Sequence, residues 1–210
     1  MPIVGERKIQ TLHPGIVRQC ERHASDGAAR KDSVLFWRCA RHDNGVDVAM
    51  ASFRQLAPRY PHLRFVFAVR PRGPYEDDLR KLADEIENID VHVYPYKDPV
   101  SLPALFARAM FVVQPFRRLT INPQLSILES LYAGLPVIAS DVESNRELVR
   151  HEQTGLLIPP GDEHALSAAI QRLLTDTQAR TDLARNASDV TQRHWNWQRF
   201  DQQLLHAYDK

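Results

Sequence analysis

Short apolar runs recur along the chain, with helical patterns between them. "SVLFW" (33–37), "LRFVFAV" (63–69), "IDVHVY" (89–94), "MFVVQP" (110–115) and "PVIAS" (136–140) have the length of strands, and an apolar stretch "GLLIPP" (155–160) follows them. "GVDVAMASFRQLAPRYP" (45–61) has helical periodicity and ends towards Pro58 and Pro61. "GPYEDDLRKLADEIEN" (73–88) opens on a proline and acidic residues, which suit the positive end of a helix dipole. "SLPALFARA" (101–109) offers Ser101 as a cap and Pro103 in the first turn. A short helix is expected near 144–150, and two or three more reach the end of the chain. Asp162 begins the first of these, whose Ala165, Leu166, Ala169, Ile170, Leu173 and Leu174 form one apolar stripe. Residues 1–31 carry a Pro14-Gly15 turn and no sustained period.

Strand and helix patterns alternate about six times with short connections. That order predicts an α/β fold, a doubly wound parallel sheet covered on both faces by right-handed crossovers. Such sheets bind ligands at the carboxyl ends of their strands. Trp37-Arg38 follows the first strand, and "RRLTINPQLS" (117–126) joins the fourth strand to the next helix. A helix N-terminus at that edge attracts phosphate, and an arginine adds a charge-assisted contact.

The helix after that loop contains an anomaly. In "NPQLSILESLYAGLPVIASD" (122–141) a lone carboxylate, Glu129, sits among leucines. At about 100° per residue, Leu125, Leu128, Glu129 and Tyr132 share one face. Gly134 fits the left-handed residue that closes a helix, and Pro136 stops its continuation. Glu129 is therefore either a structural salt-bridge partner, with Arg117, Arg118 or Arg146 as candidates, or a ligand group that accepts hydrogen bonds from sugar hydroxyls.

Composition narrows the function classes. With 210 residues, 43% hydrophobic and 25% charged, the chain can bury a core as one domain or a tight pair. A net charge of +1 gives no electrostatic reason to invoke nucleic acid. Two cysteines, Cys20 and Cys39, do not make a disulfide framework and suit a reducing, cytoplasmic setting. No apolar run approaches the roughly 20 residues of a membrane span, and peripheral membrane contact stays open. The histidines include no H-E-x-x-H, and there is neither a G-x-S-x-G elbow nor a Walker loop, so no metal site is expected. His42-Asp43 and His151-Glu152 are neighbours in sequence and are expected to be solvated loop residues.

The stretch "LSILESLYAGLPVIASDVESNRELVRHEQTGLLIPPGDEHALSAAIQRLL" closely resembles the C-terminal, donor-binding domain of retaining GT-B glycosyltransferases of the family 4 type. The family pattern runs as a glutamate, a second glutamate eight positions on, A-x-G-x-P-V-I/V-A, G-hydrophobic-hydrophobic and P-x-D/G-D. "KIQTLHPGI" and "HWNWQRFDQQLLHAY" resemble the family's linker strand and closing helix. The resemblance implies one half of a GT-B fold. Residues 1–32 would be the interdomain linker segment, 33–193 the Rossmann-like nucleotide-sugar domain, and 194–210 a helix packing back towards the other half.

The resemblance also implies a site. Glu129 matches the family's second glutamate, a ribose-hydroxyl acceptor. Leu125 and Ser126 match the step whose backbone amides face the donor diphosphate, and Arg38 matches the arginine that neutralises it. Tyr96 lies in the segment bordering the nucleobase. The chain departs from the pattern elsewhere. Ile121 replaces the first glutamate, Trp37 a glycine, and Asn122 and Gln124 stand where phosphate-loop glycines are usual. Asn44 occupies the family's lysine position, where Arg41 or His42 could restore a charge. Glu147 is assigned to ordering the 141–150 loop. The implied activity is transfer of a hexose from a nucleoside diphosphate sugar to a saccharide or lipid acceptor, without a metal or other cofactor. The partners implied are the donor and an N-terminal acceptor domain or separate subunit, with membrane contact through that other half. Two alternatives stand beside it: a non-catalytic nucleotide-sugar-binding or regulatory subunit of a split transferase, and half of a GT-B-fold sugar epimerase.

Overall fold

A computed structural model describes residues 31–71, 73–96, 100–118 and 124–194, together with 201, 202 and 205. Six parallel strands form one sheet: β1 (Ser33–Trp37), β2 (Arg64–Val69), β3 (Ile89–Val93), β4 (Ala109–Gln114), β5 (Val137–Ser140) and β6 (Gly155–Ile158). Their spatial order is β3-β2-β1-β4-β5-β6, so the first described strand lies in the middle, and the path winds outward one way, then crosses back. This is the doubly wound, Rossmann-like α/β sheet expected from the alternation. The order reverses between β1 and β4, and a crevice opens at the carboxyl ends of strands that diverge in this way.

Strand alternation divides the core into two layers. Val34, Phe36, Phe65, Phe67, Phe111 and Val113 face one side and pack with α1 (Val46–Leu56), α2 (Glu76–Glu85) and α6 (Glu163–Thr175). Leu35, Val66, Ala68, Val112, Val137 and Ala139 face the other, against α3 (Leu102–Arg108) and α4 (Leu125–Tyr132). α5 (Glu143–Leu148) and α7 (Thr177–His194) complete the helices. Ser101 caps α3 by accepting from Ala104 N at 3.2 Å, and Asp162 caps α6 by accepting from Ala165 N at 2.8 Å.

Boundaries shift where local chemistry dictates. α1 stops at Leu56 and a 3-10 turn at Ala57–Arg59 follows, because Pro58 cannot extend the α-helical ladder. The third strand ends at Val93 and the sixth at Ile158, before prolines in both cases. Gly134 closes α4 with φ +74, as its position after the leucine-rich helix suggests. Nearly all of the expected 1–32 linker segment and most of the 194–210 helix lie outside the described residues. Among the described residues no helix is long and apolar enough to cross a membrane.

Candidate functional site

Two side chains from opposite sides of the strand-order reversal define the site. Arg38 leaves β1, and its backbone N–H donates to Ala68 O at 3.2 Å, continuing the ladder with β2. Its guanidinium turns towards α4, reaches the Ser126 hydroxyl at 3.5 Å and lies 5.8 Å from the centre of the Phe116 ring. Burial lowers the Arg38 pKa from its ordinary value, and Glu129 works against that shift. A guanidinium nevertheless stays cationic. Glu129 is half-buried one turn into α4. Burial raises its carboxyl above the ordinary value, while the charges of Arg38 and Arg70 pull it back.

The face assigned to α4 from its periodicity needs one correction. Ser126, Ile127, Leu128, Ser130 and Leu131 are its buried residues, whereas Leu125 is 54% exposed. The buried hydroxyls of Ser126 and Ser130 bond to Gln114 and Trp37, so this face of the helix turns inward, leaving Leu125 exposed and Glu129 half-buried. The exposed leucine thus marks the rim of the site.

A polar network beneath this rim sets the spacing. Gln114, wholly buried at the end of β4, donates to Trp37 O at 3.0 Å and accepts from the Ser126 hydroxyl at 3.5 Å. The Trp37 indole donates to Ser130 Oγ at 3.1 Å, and that hydroxyl donates to Ser126 O at 2.6 Å. Trp37 therefore ties β1 to α4. Sequence inspection identified neither Gln114 nor Ser130 as part of the site.

Among the described residues, no side chain caps the N-terminus of α4, whereas Ser101 and Asp162 cap α3 and α6. Buried Gln124 precedes it without a side-chain cap, and no acidic residue occupies the first turn. Ile127 N and Leu128 N both turn back to Gln124 O, at 3.1 and 3.2 Å, which leaves the Leu125 and Ser126 amides as those without an intrahelical partner. Asn122 and Ile121 lie outside the described residues.

The arginines considered as partners for Glu129 are engaged elsewhere. Arg117 pairs with Asp47 at 2.5 Å, Arg118 with Asp43 at 2.9 Å and Arg146 with Asp141 at 2.5 Å. Among the described residues, the Glu129 carboxylate has neither a hydrogen-bond nor an ion-pair partner. Of its two open readings, the structural salt bridge is the one the geometry does not support.

The remaining candidates divide. Tyr96, after β3, is half-buried, meets Tyr94 edge-on at 5.6 Å and has its phenol pKa raised by burial. Asn44 is buried and donates its amide to Cys39 O at 2.8 Å, so it braces the loop after β1 instead of facing outward. Arg41 is exposed on that loop, and His42 approaches Asp47 at 3.8 Å. His151 accepts from Leu157 N through Nδ1, Glu152 pairs with Arg172, and Glu147 is exposed on α5; these build the far end of the sheet, not the site.

Gly45 holds the two site loops together. It has φ +70, and a Cβ there would stand 1.7 Å from Pro115 O, so only glycine lets the start of α1 meet the end of β4 this closely.

Comparison with known proteins places the family and the fold. Residues 20–190 match the family described as glycosyl transferases group 1. An exopolysaccharide phosphotransferase of Streptomyces coelicolor is 30% identical over 164 residues, 73% of this chain and 17% of that protein. Sucrose-phosphate synthase from Thermosynechococcus elongatus superposes with a TM-score of 0.72 at 25% identity, covering 94% of this chain and 49% of that one. The Anabaena protein HepE, solved in complex with UDP and glucose, superposes at 0.71 with 19% identity, covering 88% and 50%. The chain thus spans half or less of the length of these relatives.

Proposed function

The chain belongs to the group 1 glycosyl transferases, and we propose that it is the donor-binding half of a retaining enzyme that transfers a hexose from a nucleoside diphosphate sugar. The observation that carries this reading is Glu129, a half-buried carboxylate without a protein partner among the described residues, set across the strand-order reversal from Arg38. A carboxylate in that position is suited to accept the ribose hydroxyls. Arg38 and the free amides of Leu125 and Ser126 would hold the diphosphate, and Tyr96 would border the base. In the transfer, the bond from the anomeric carbon to the diphosphate breaks as an acceptor hydroxyl forms its own bond to that carbon and passes its proton to the leaving diphosphate oxygen. Arg38 and the α4 N-terminus would stabilise the charge that develops on the leaving diphosphate. This reading draws its positive charge from the protein and assigns no metal or other cofactor. The acceptor, a saccharide or lipid, would be held by a second domain or subunit.

One observation favours a second reading, a non-catalytic nucleotide-sugar-binding subunit. Asn44, at the position where the family carries a lysine, is turned inward onto Cys39 O and brings no charge to the phosphates. Calorimetric titration with nucleoside diphosphates and their sugars, combined with a transfer assay, separates these outcomes. Weak binding without turnover by this chain alone supports the donor-half reading. Turnover by the chain alone overturns the half-enzyme part of it, and absence of all nucleotide binding overturns it entirely. Binding that still gives no transfer when an acceptor half is supplied favours the second reading.

A further inference from the structure

Three adjacent strands leave the sheet at the same edge, each carrying a distinct group. The β1–β2 register pairs Trp37 with Ala68, and the β2–β3 register pairs Val69 with Val93. Arg38 N donates to Ala68 O at 3.2 Å and Tyr94 N to Val69 O at 2.9 Å, so both ladders run one residue past the strands. Arg38, Arg70 and Tyr94 are thus the exits of three neighbouring strands.

Alternation in β2 decides the side on which Arg70 stands. Phe65, Phe67 and Val69 face the layer of α1 and α2, whereas Val66 and Ala68 face that of α3 and α4. Position 70 continues the second set. Trp37, Tyr96 and Leu128 belong to that layer, and Glu129 rides on the same helix as Leu128. Consistent with this placement, the charge of Arg70 acts on Arg38, on Glu129 and on the Tyr96 phenol.

Arg70 is exposed, and among the described residues it has neither a hydrogen bond nor an ion pair. The surface arginines nearby behave differently: Arg117 and Arg118 each hold a carboxylate of the loop after β1 or of α1. Among the described residues, the guanidiniums of Arg38 and Arg70 therefore stand at one edge and repel each other, with the Glu129 carboxylate as counter-charge. The open N-terminus of α4 adds a further partial positive charge. Such an excess is relieved by a ligand carrying at least two negative charges.

We propose that Arg70 is the second cation of the diphosphate site, supplying the charge that Asn44, turned inward onto Cys39, does not. The inference rests on the donor-site reading of Arg38 and Glu129. Because Arg70 extends from a strand end into solvent, replacing it disturbs no core contact, and the variants Arg70→Gln and Arg70→Lys are expected to fold as wild type does.

The test titrates the full chain with UDP, GDP, ADP and dTDP and with the matching nucleosides. For whichever diphosphate binds wild type, Arg70→Gln is expected to weaken binding about 10-fold, the effect of one charge-assisted hydrogen bond. Arg70→Lys should recover most of that loss, and nucleoside affinity should not move. Raising the salt concentration should weaken wild type more than Arg70→Gln, since one screened charge fewer remains. Unchanged diphosphate affinity in Arg70→Gln, alongside a loss in Arg38→Ala, overturns this inference and leaves the donor site intact. Equal losses for diphosphate and nucleoside also overturn it, because Arg70 would then contact the base or sugar. Failure of wild type to bind any of the four diphosphates overturns the donor-site reading and this inference together.

Discussion

The indole N–H of Trp37 donates to the Ser130 hydroxyl at 3.1 Å, joining the residue before Arg38 to the residue after Glu129. The same hydroxyl donates to Ser126 O at 2.6 Å, so one buried oxygen serves both a strand end and a helix turn. The separation of the two charged groups therefore depends on an interaction that touches neither of them. Ser130→Ala leaves the indole N–H without this acceptor and is expected to destabilise the protein by about 1–3 kcal/mol. Nucleotide affinity should fall as well, because β1 and α4 are no longer pinned together. Denaturant melts with parallel titrations check both effects. An unchanged unfolding midpoint would show that the bond is dispensable.

Arg38→Ala should weaken binding of a nucleoside diphosphate by about 1.5–3 kcal/mol, the range for hydrogen bonds to charged groups. The bare nucleoside should bind almost as before, since the guanidinium lies against Ser126 at the open end of α4. Comparing the two titrations isolates the phosphate contribution. Equal losses for both ligands would assign Arg38 to supporting the fold, through Ser126 and the Phe116 ring.

The parallel sheet was legible because β1, β4 and β5 are short apolar runs buried on both faces, and α2, α3 and α6 carry their own start signals. Ser101, Asp162 and Gly134 are local choices that agree with the global fold. Arg38 and Glu129 were legible as candidates from their places at a strand end and in a helix, and Ser126 from the resemblance; their convergence depends on the order β2-β1-β4, which no local pattern encodes. The exposure of Leu125 was hidden for a related reason. Periodicity placed the apolar face of α4 at the leucines, yet two serines bond inward to Gln114 and Trp37 and shift its buried face. Arg70 was missed because it reads as the polar residue ending a strand. Its phase relative to Val66 and Ala68 was the available signal.

Gly45 tests how tightly the two site loops must close. Its φ of +70 disfavours any side chain, and a Cβ would overlap Pro115 O at 1.7 Å. Gly45→Ala is expected to lose at least about 1–2 kcal/mol from backbone conformation alone. The overlap should add to this by pushing the start of α1 away from the end of β4. A thermal melt reads the stability loss. In protein that still folds, nucleotide affinity should drop too, since Arg38 and α4 move apart with the loops. Wild-type stability in this variant would mean that the loops do not approach as described.

Glu129→Gln separates a ligand group from a structural one. The substitution keeps an acceptor but removes the charge, so nucleotide affinity should fall by about 1–2 kcal/mol, within the range for charge-assisted bonds. Stability should respond in the opposite sense. Burial raises the Glu129 pKa in the folded state, so folding favours its protonated form. That contribution is fully present below the unfolded carboxylate pKa of about 4.3 and is lost as pH rises through the higher folded value. Glu129→Gln removes this pH dependence and should equal or exceed wild type in stability at neutral pH. Affinity in wild type should rise with pH over the same window, as the carboxylate becomes available to the ribose hydroxyls. If Glu129 were instead a salt-bridge partner, removing its charge would strand a cation and cost about 3–5 kcal/mol of stability. Melts and titrations across that pH window decide the matter. A large stability loss with unchanged nucleotide affinity in the folded variant would sink the donor-site role of Glu129.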